Sequence, residues 1–113
     1  MTTVNLLVGT NNGLFIYRSD ANRQDWALTG PLLSGWSIDS VLVDSRHGNR
    51  IFVGASHPTA EPALQLSEDS GMTWTPLPDS PRYGPASPLT VRRIWQITPG
   101  APSQPHTYYA GVD

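Results

Sequence analysis

Two arginine–aromatic groupings stand out in a chain that holds only 7 Lys+Arg: Arg82-Tyr83 and Arg92-Arg93-Ile94-Trp95. A guanidinium fork grips a carboxylate through two parallel hydrogen bonds, and an aromatic ring stacks on the apolar face of a sugar. The pairing therefore suits sugars or acidic ligands. Trp36, together with His57 and Glu61 of Ser56-His57-Pro58-Thr59-Ala60-Glu61-Pro62, joins this set if the fold brings them together, and Asn11 and Asn12 stand beside them. Each residue also has a plainer role. Trp36 and Trp95, read as equivalent positions, can be core filler; His57 beside Pro58 and Glu61 before Pro62 can be solvated loop groups. Arg92 and Arg93 are neighbours on an alternating strand, so one faces a ligand at most while the other covers the sheet with its stem. The last carboxylate of interest is Asp69 in Ser67-Glu68-Asp69-Ser70-Gly71-Met72-Thr73-Trp74. It is a catalytic acid or metal ligand on one reading and a turn former on the other.

The elements that must position these residues read as short strands. Ala63-Leu64-Gln65-Leu66-Ser67 alternates apolar and polar, and Thr73-Trp74-Thr75-Pro76-Leu77 resumes the alternation, so a hairpin joins them. Asp69 can accept backbone N–H groups inside that turn, Ser67 can add a weaker bond, and Gly71 tolerates the positive φ of a tight reversal. Trp74 offers a large apolar surface for packing where one sheet meets the next. Upstream, Asn5-Leu6-Leu7-Val8-Gly9-Thr10 and Leu14-Phe15-Ile16-Tyr17-Arg18 flank Asn11-Asn12-Gly13, a strong local hairpin signal. Gly 10, Pro 11 and Trp 4 among 113 residues point to many short strands and tight turns. A net charge of −2 gives no basic stripe for nucleic acid. No window approaches the ~20 apolar residues of a membrane span, and Met1-Thr2-Thr3-Val4-Asn5 lacks the basic start of a secretory signal, which favours a cytoplasmic location. The absence of cysteine excludes disulfides and thiolate metal sites, and nothing in the sequence calls for a cofactor or metal.

The run Ser-x-Asp-x-Gly-x-Thr-Trp at Ser67, Asp69, Gly71, Thr73 and Trp74 resembles the Asp-box of the bacterial-neuraminidase-repeat (BNR) β-propellers, the sialidase-like family. Ser19-Asp20-Ala21-Asn22-Arg23-Gln24-Asp25-Trp26 resembles a decayed copy, with Ala21 in place of the aspartate and Arg23 in place of the glycine. Trp26 and Trp74 lie 48 residues apart and Gly9 and Gly54 lie 45 apart, spacings typical of four-stranded blades. The expected fold is all-β, with propeller blades of four antiparallel strands over residues 1–113: a half blade at 5–30, a full blade at 36–78 and a half blade at 90–113. In the full blade the strands fall at 37–43, 51–54, 63–67 and 73–77; in the last, 91–97 and 107–111 match the first two. That makes about two and a third blades, either the start of a longer propeller or a unit of which three copies close a ring of about seven.

The resemblance implies a structural role for the Asp-box, which in this family lies on the face away from the catalytic cleft. The stretches 30–37 and 92–100 look like a bacterial branch described as sialidase-like or glycosyl-hydrolase-like. Family sialidases use three arginines on the substrate carboxylate, a tyrosine nucleophile paired with glutamate, and an aspartate acid/base, unlike the usual two-carboxylate glycosidase. Their Arg-Ile-Pro motif has no match, since Arg93-Ile94 is followed by Trp95. No catalytic residue carries over. The expected function is a scaffold that binds a glycan or protein ligand through Trp36, His57, Glu61, Arg82, Tyr83, Arg92, Arg93 and Trp95. The alternatives are the start of an exo-sialidase-type hydrolase whose catalytic residues lie beyond residue 113, and a structural fragment without independent function.

Overall fold

The computed structural model describes residues 2–46 and 48–113. Among the described residues, strands take up 53%, the sheets are antiparallel, and there is no helix and hence none long and apolar enough to cross a membrane. Strands β1 (Thr3–Thr10), β2 (Gly13–Asp20) and β3 (Ala27–Leu32) form a first sheet, so the segment expected as half a unit carries three strands. The second sheet comprises β4 (Ser37–Asp44), β5 (Arg50–His57), β6 (Ala60–Ser67) and β7 (Thr75–Pro76); the third comprises β8 (Ile94–Pro99) and β9 (Tyr108–Val112). In each sheet the strands lie in chain order. The expected Asn-Gly hairpin forms: Thr10 pairs with Gly13, whose φ of 95° is left-handed, and the Thr10 hydroxyl donates to the Gly13 carbonyl.

The sheets pack face to face as a slab of 52 × 36 × 20 Å. Leu14 and Ile16 of β2 meet Ile38, Ile51, Val53 and Ala55 between the first two sheets, while Phe52, Ile94 and Ile97 meet Leu42, Leu64, Leu66 and Leu77 between the second and third. β5 is thus covered on both faces, which is why its sequence is a continuous apolar run and not a clean alternation. The fully buried Leu14, Ile16, Val53 and Ile94 each contribute about 1.5–3 kcal/mol by leaving water.

Two glycines set the step between sheets. A Cβ at Gly9 would stand 2.8 Å from the Ile38 carbonyl oxygen, and one at Gly54 would stand 2.7 Å from that of Ile94. Real Cβ atoms do not approach backbone so closely, so only glycine admits β4 onto β1 and β8 onto β5. The same equivalence appears in the ladders, which carry a register irregularity between Ile38 and Ser40 and again between Ile94 and Gln96. Ile38 therefore corresponds to Ile94, and Trp95 corresponds to Asp39. The expected equivalence of Trp36 with Trp95 does not hold: with Ile38 set against Ile94, the place of Trp36 falls to Arg92.

Strand direction sorts the remaining groups onto two rims. Ser37 pairs with Ser56 and His57 with Ala60 at one rim; Asp44 pairs with Arg50 and Ile51 with Ser67 at the other.

Candidate functional site

At the second rim, the 67–74 turn is closed by its own side chains. The Ser67 hydroxyl, fully buried, donates to Asp69 Oδ1 at 2.8 Å and accepts the Gly71 N–H at 2.8 Å. Asp69 also accepts the Thr73 N–H at 2.8 Å and the Thr73 hydroxyl. These bonds, led by those from Thr73, push the Asp69 carboxyl down to about 2. Ser70 and Gly71 take φ of 61° and 93°, and Trp74 Nε1 donates to the Gly71 carbonyl at 3.0 Å. Arg18 Nη2 donates to the Ser70 carbonyl at 2.8 Å, tying the turn to the first sheet. Both carboxylate oxygens of Asp69 thus accept bonds from within the turn, as a turn former's do.

The same rim holds a polar cluster that the sequence did not disclose. Asp44, with a side chain 1% exposed, accepts from Arg46 Nε at 3.0 Å, from Arg46 Nη2 at 3.2 Å and from the Tyr108 hydroxyl. Arg50 Nη2 donates to the Tyr108 oxygen at 2.8 Å and lies 3.6 Å from Asp44 Oδ2. Arg46 Nη1 reaches the Gly100 carbonyl at 2.8 Å. Hydrogen bonds from Arg46 and then Tyr108 hold the Asp44 carboxyl far below the usual carboxylate range, against the opposing effect of burial. Burial, followed by the bond to Asp44, raises the Tyr108 phenol. The cluster joins the second sheet to the third; its members lie up to 64 residues apart, beyond any local pattern.

The first rim is open. His57, Glu61, Arg82, Tyr83 and Arg92 line one cleft of about 660 Å³ between the β5–β6 turn and the 78–90 connection. A second, of about 700 Å³, is lined by Asn11, Ser37, Ser56, Arg92, Arg93 and Trp95. His57, Pro58 and Arg92 border both, so the clefts adjoin. Seven of the eight expected ligand residues are thereby brought together. Trp36 is the exception: it packs on the first core, and its ring supports His57 at 5.0 Å between centroids. His57 Nδ1 accepts the Thr59 N–H at 3.1 Å. Trp95 is 50% exposed, with the Arg93 guanidinium 5.2 Å over its ring. Arg92 pairs with Asp113 at 3.3 Å, and Arg82 Nη2 donates to the Pro78 carbonyl at 3.1 Å. Asn12 has a structural task, its Oδ1 accepting the Gly35 N–H at 2.8 Å. Ser37 and Ser56 join the second cleft unforeseen, being short polar residues inside strands.

Among the described residues, no group of three or more His, Cys, Asp or Glu is placed to hold a metal ion. The arrangement offers cationic donors, an accessible aromatic face and hydroxyls around solvent-open clefts. No family model matches the chain, and no curated protein matches it.

Proposed function

We propose that the three sheets are blades of a BNR/Asp-box β-propeller and that the chain is a scaffold which binds a carbohydrate ligand at the rim opposite the 67–74 turn. The blade reading is supported by the repeated glycine step, in which Gly9 receives Ile38 and Gly54 receives Ile94. The binding reading is carried by one observation, the gathering of Arg92, Arg93, Trp95 and His57 around adjoining clefts. A sugar ring stacks on the exposed face of Trp95, and an acidic substituent takes the Arg93 fork. The test is retention of the full chain on immobilised neutral and acidic oligosaccharides. Retention that disappears in Trp95→Ala and loses its preference for acidic glycans in Arg93→Ala supports the reading. A folded chain retained by none of the glycans overturns it.

A further inference from the structure

Ser37 and Ser56 face each other across β4 and β5 at the mouth of the second cleft, with Asp39 bonded to both. The Ser56 hydroxyl donates to Asp39 Oδ2 at 2.7 Å and the Ser37 hydroxyl donates to Asp39 Oδ1 at 3.0 Å; Asn11 Oδ1 is a longer alternative for Ser37 at 3.4 Å. A serine hydroxyl has a single proton to donate, and a carboxylate can only accept. Both protons are therefore committed to Asp39, and the oxygens of Ser37 and Ser56 meet the cleft with lone pairs alone. Asp39 occupies the bulge position of β4, the place that Trp95 occupies in β8. Bulges re-aim side chains, and here successive sheets use the same irregularity to set a carboxylate under one wall of the site and a ring on another.

We infer that Asp39 is a positioning residue for ligand recognition, fixing Ser37 and Ser56 as paired acceptors, so that the cleft takes a polyhydroxyl ligand through the ligand's own O–H donors. This rests on the carbohydrate reading above and sharpens it: hydroxyls dock against the serine pair, while Trp95 and Arg93 take the ring face and any acidic group. A ligand that presents only acceptors at this wall is excluded, since lone pairs then oppose lone pairs.

The test follows the Trp95 indole N–H resonance of the full chain, assigned with Trp95→Phe, during titration with D-glucose and with D-glucuronate. Both sugars shift the resonance of the native chain, glucuronate at lower concentration. Asp39→Asn supplies an amide donor that turns one serine proton back toward the cleft, and affinity for both sugars falls about fivefold, the scale of a lost hydrogen bond between neutral groups. Ser56→Ala lowers affinity for both sugars alike and keeps the preference for glucuronate, because Arg93 is untouched; it also serves if Asp39→Asn fails to fold. Sugar binding unchanged in a folded Asp39→Asn or Ser56→Ala chain overturns this inference and leaves the carbohydrate reading standing. No indole shift with either sugar in the native chain overturns both.

Discussion

The 67–74 and 19–26 turns close equivalent strand pairs, β6–β7 and β2–β3, with different chemistry. In the first, one aspartate accepts from Ser67 and Thr73, and the buried Ser67 oxygen is satisfied twice. In the second, Ala21 stands at the aspartate position, and the Ser19 oxygen is buried with no hydrogen-bond partner. The backbone is only partly kept: Arg23, at the glycine position, holds a left-handed φ of 56°, but Asn22 lacks the positive φ that Ser70 takes, and the neighbouring Asp20 accepts the Asn22 N–H at 2.9 Å. Loss of the bonding hub thus leaves one left-handed residue in place of two and a buried serine without a partner. Trp26 is 39% exposed, whereas the Trp74 indole is bonded to Gly71 and packs on the first core.

The comparison can be broken most severely at Gly71. Gly71→Val places a β-branched residue at φ 93°, with its Cβ 2.9 Å from Ile16 Cδ1. Urea unfolding is expected to show a loss of about 3 kcal/mol or more; a loss under 1 kcal/mol would mean that the turn adapts as the Arg23 turn does. Asp69→Ala makes the intact turn resemble its counterpart. It is expected to lower the melting temperature, by less than Gly71→Val, with sugar retention unchanged; an unaltered melt with lost retention would contradict the turn-forming role.

Acid sharpens the contrast next. Asp69 and Asp44 both have folded values depressed below the ordinary aspartate value near 4. The stability they contribute is therefore complete above that value and is lost as pH falls through the folded values, which for Asp69 means between about 4 and about 2. A native chain is expected to lose melting temperature over that window, and Asp69→Ala to lose less of it; identical acid profiles would remove Asp69 from the account. The smallest effect is repair. Arg23→Gly relieves a left-handed non-glycine residue and is expected to add up to about 1 kcal/mol, read as a higher urea midpoint at constant slope, and Ala21→Asp in the same background should add to it by giving Ser19 an acceptor.

Local chemistry was readable in the sequence. The Asn-Gly hairpin, the strand character of 37–43 and 51–54 and the self-bonded aspartate turn follow from residue types within a few positions of one another. The gathering of His57, Glu61, Arg82, Tyr83, Arg92, Arg93 and Trp95 at one rim followed from strand direction alone. Long-range pairing was not readable: Asp44, Arg46, Arg50 and Tyr108 meet only because the third sheet lands on the second. Nor was the bulge, which has no residue signature here, or the matching of Ile94 with Ile38 that makes Asp39, not Trp36, the counterpart of Trp95. Residues 91–93 were expected in a strand, but β8 begins at Ile94. Arg92 and Arg93 instead meet Asp113 through backbone bonds of 2.6 and 3.0 Å at the end of that ladder. The fourth strand shortened from 73–77 to Thr75–Pro76, since the turn engages the backbone N–H of Thr73 and proline has none to give.

The glycine step has a consequence for how such a molecule can vary. Ile38 follows Gly9 by 29 residues and Ile94 follows Gly54 by 40, yet each isoleucine lands on its glycine in the same way. Sheet stacking is therefore indifferent to the length of chain spent between one glycine and the next isoleucine. Insertions there lengthen the loops of the open rim, where loop entropy rises only slowly with length. One end of the slab is free to diversify in sequence and reach while the other is held by its bonded turns.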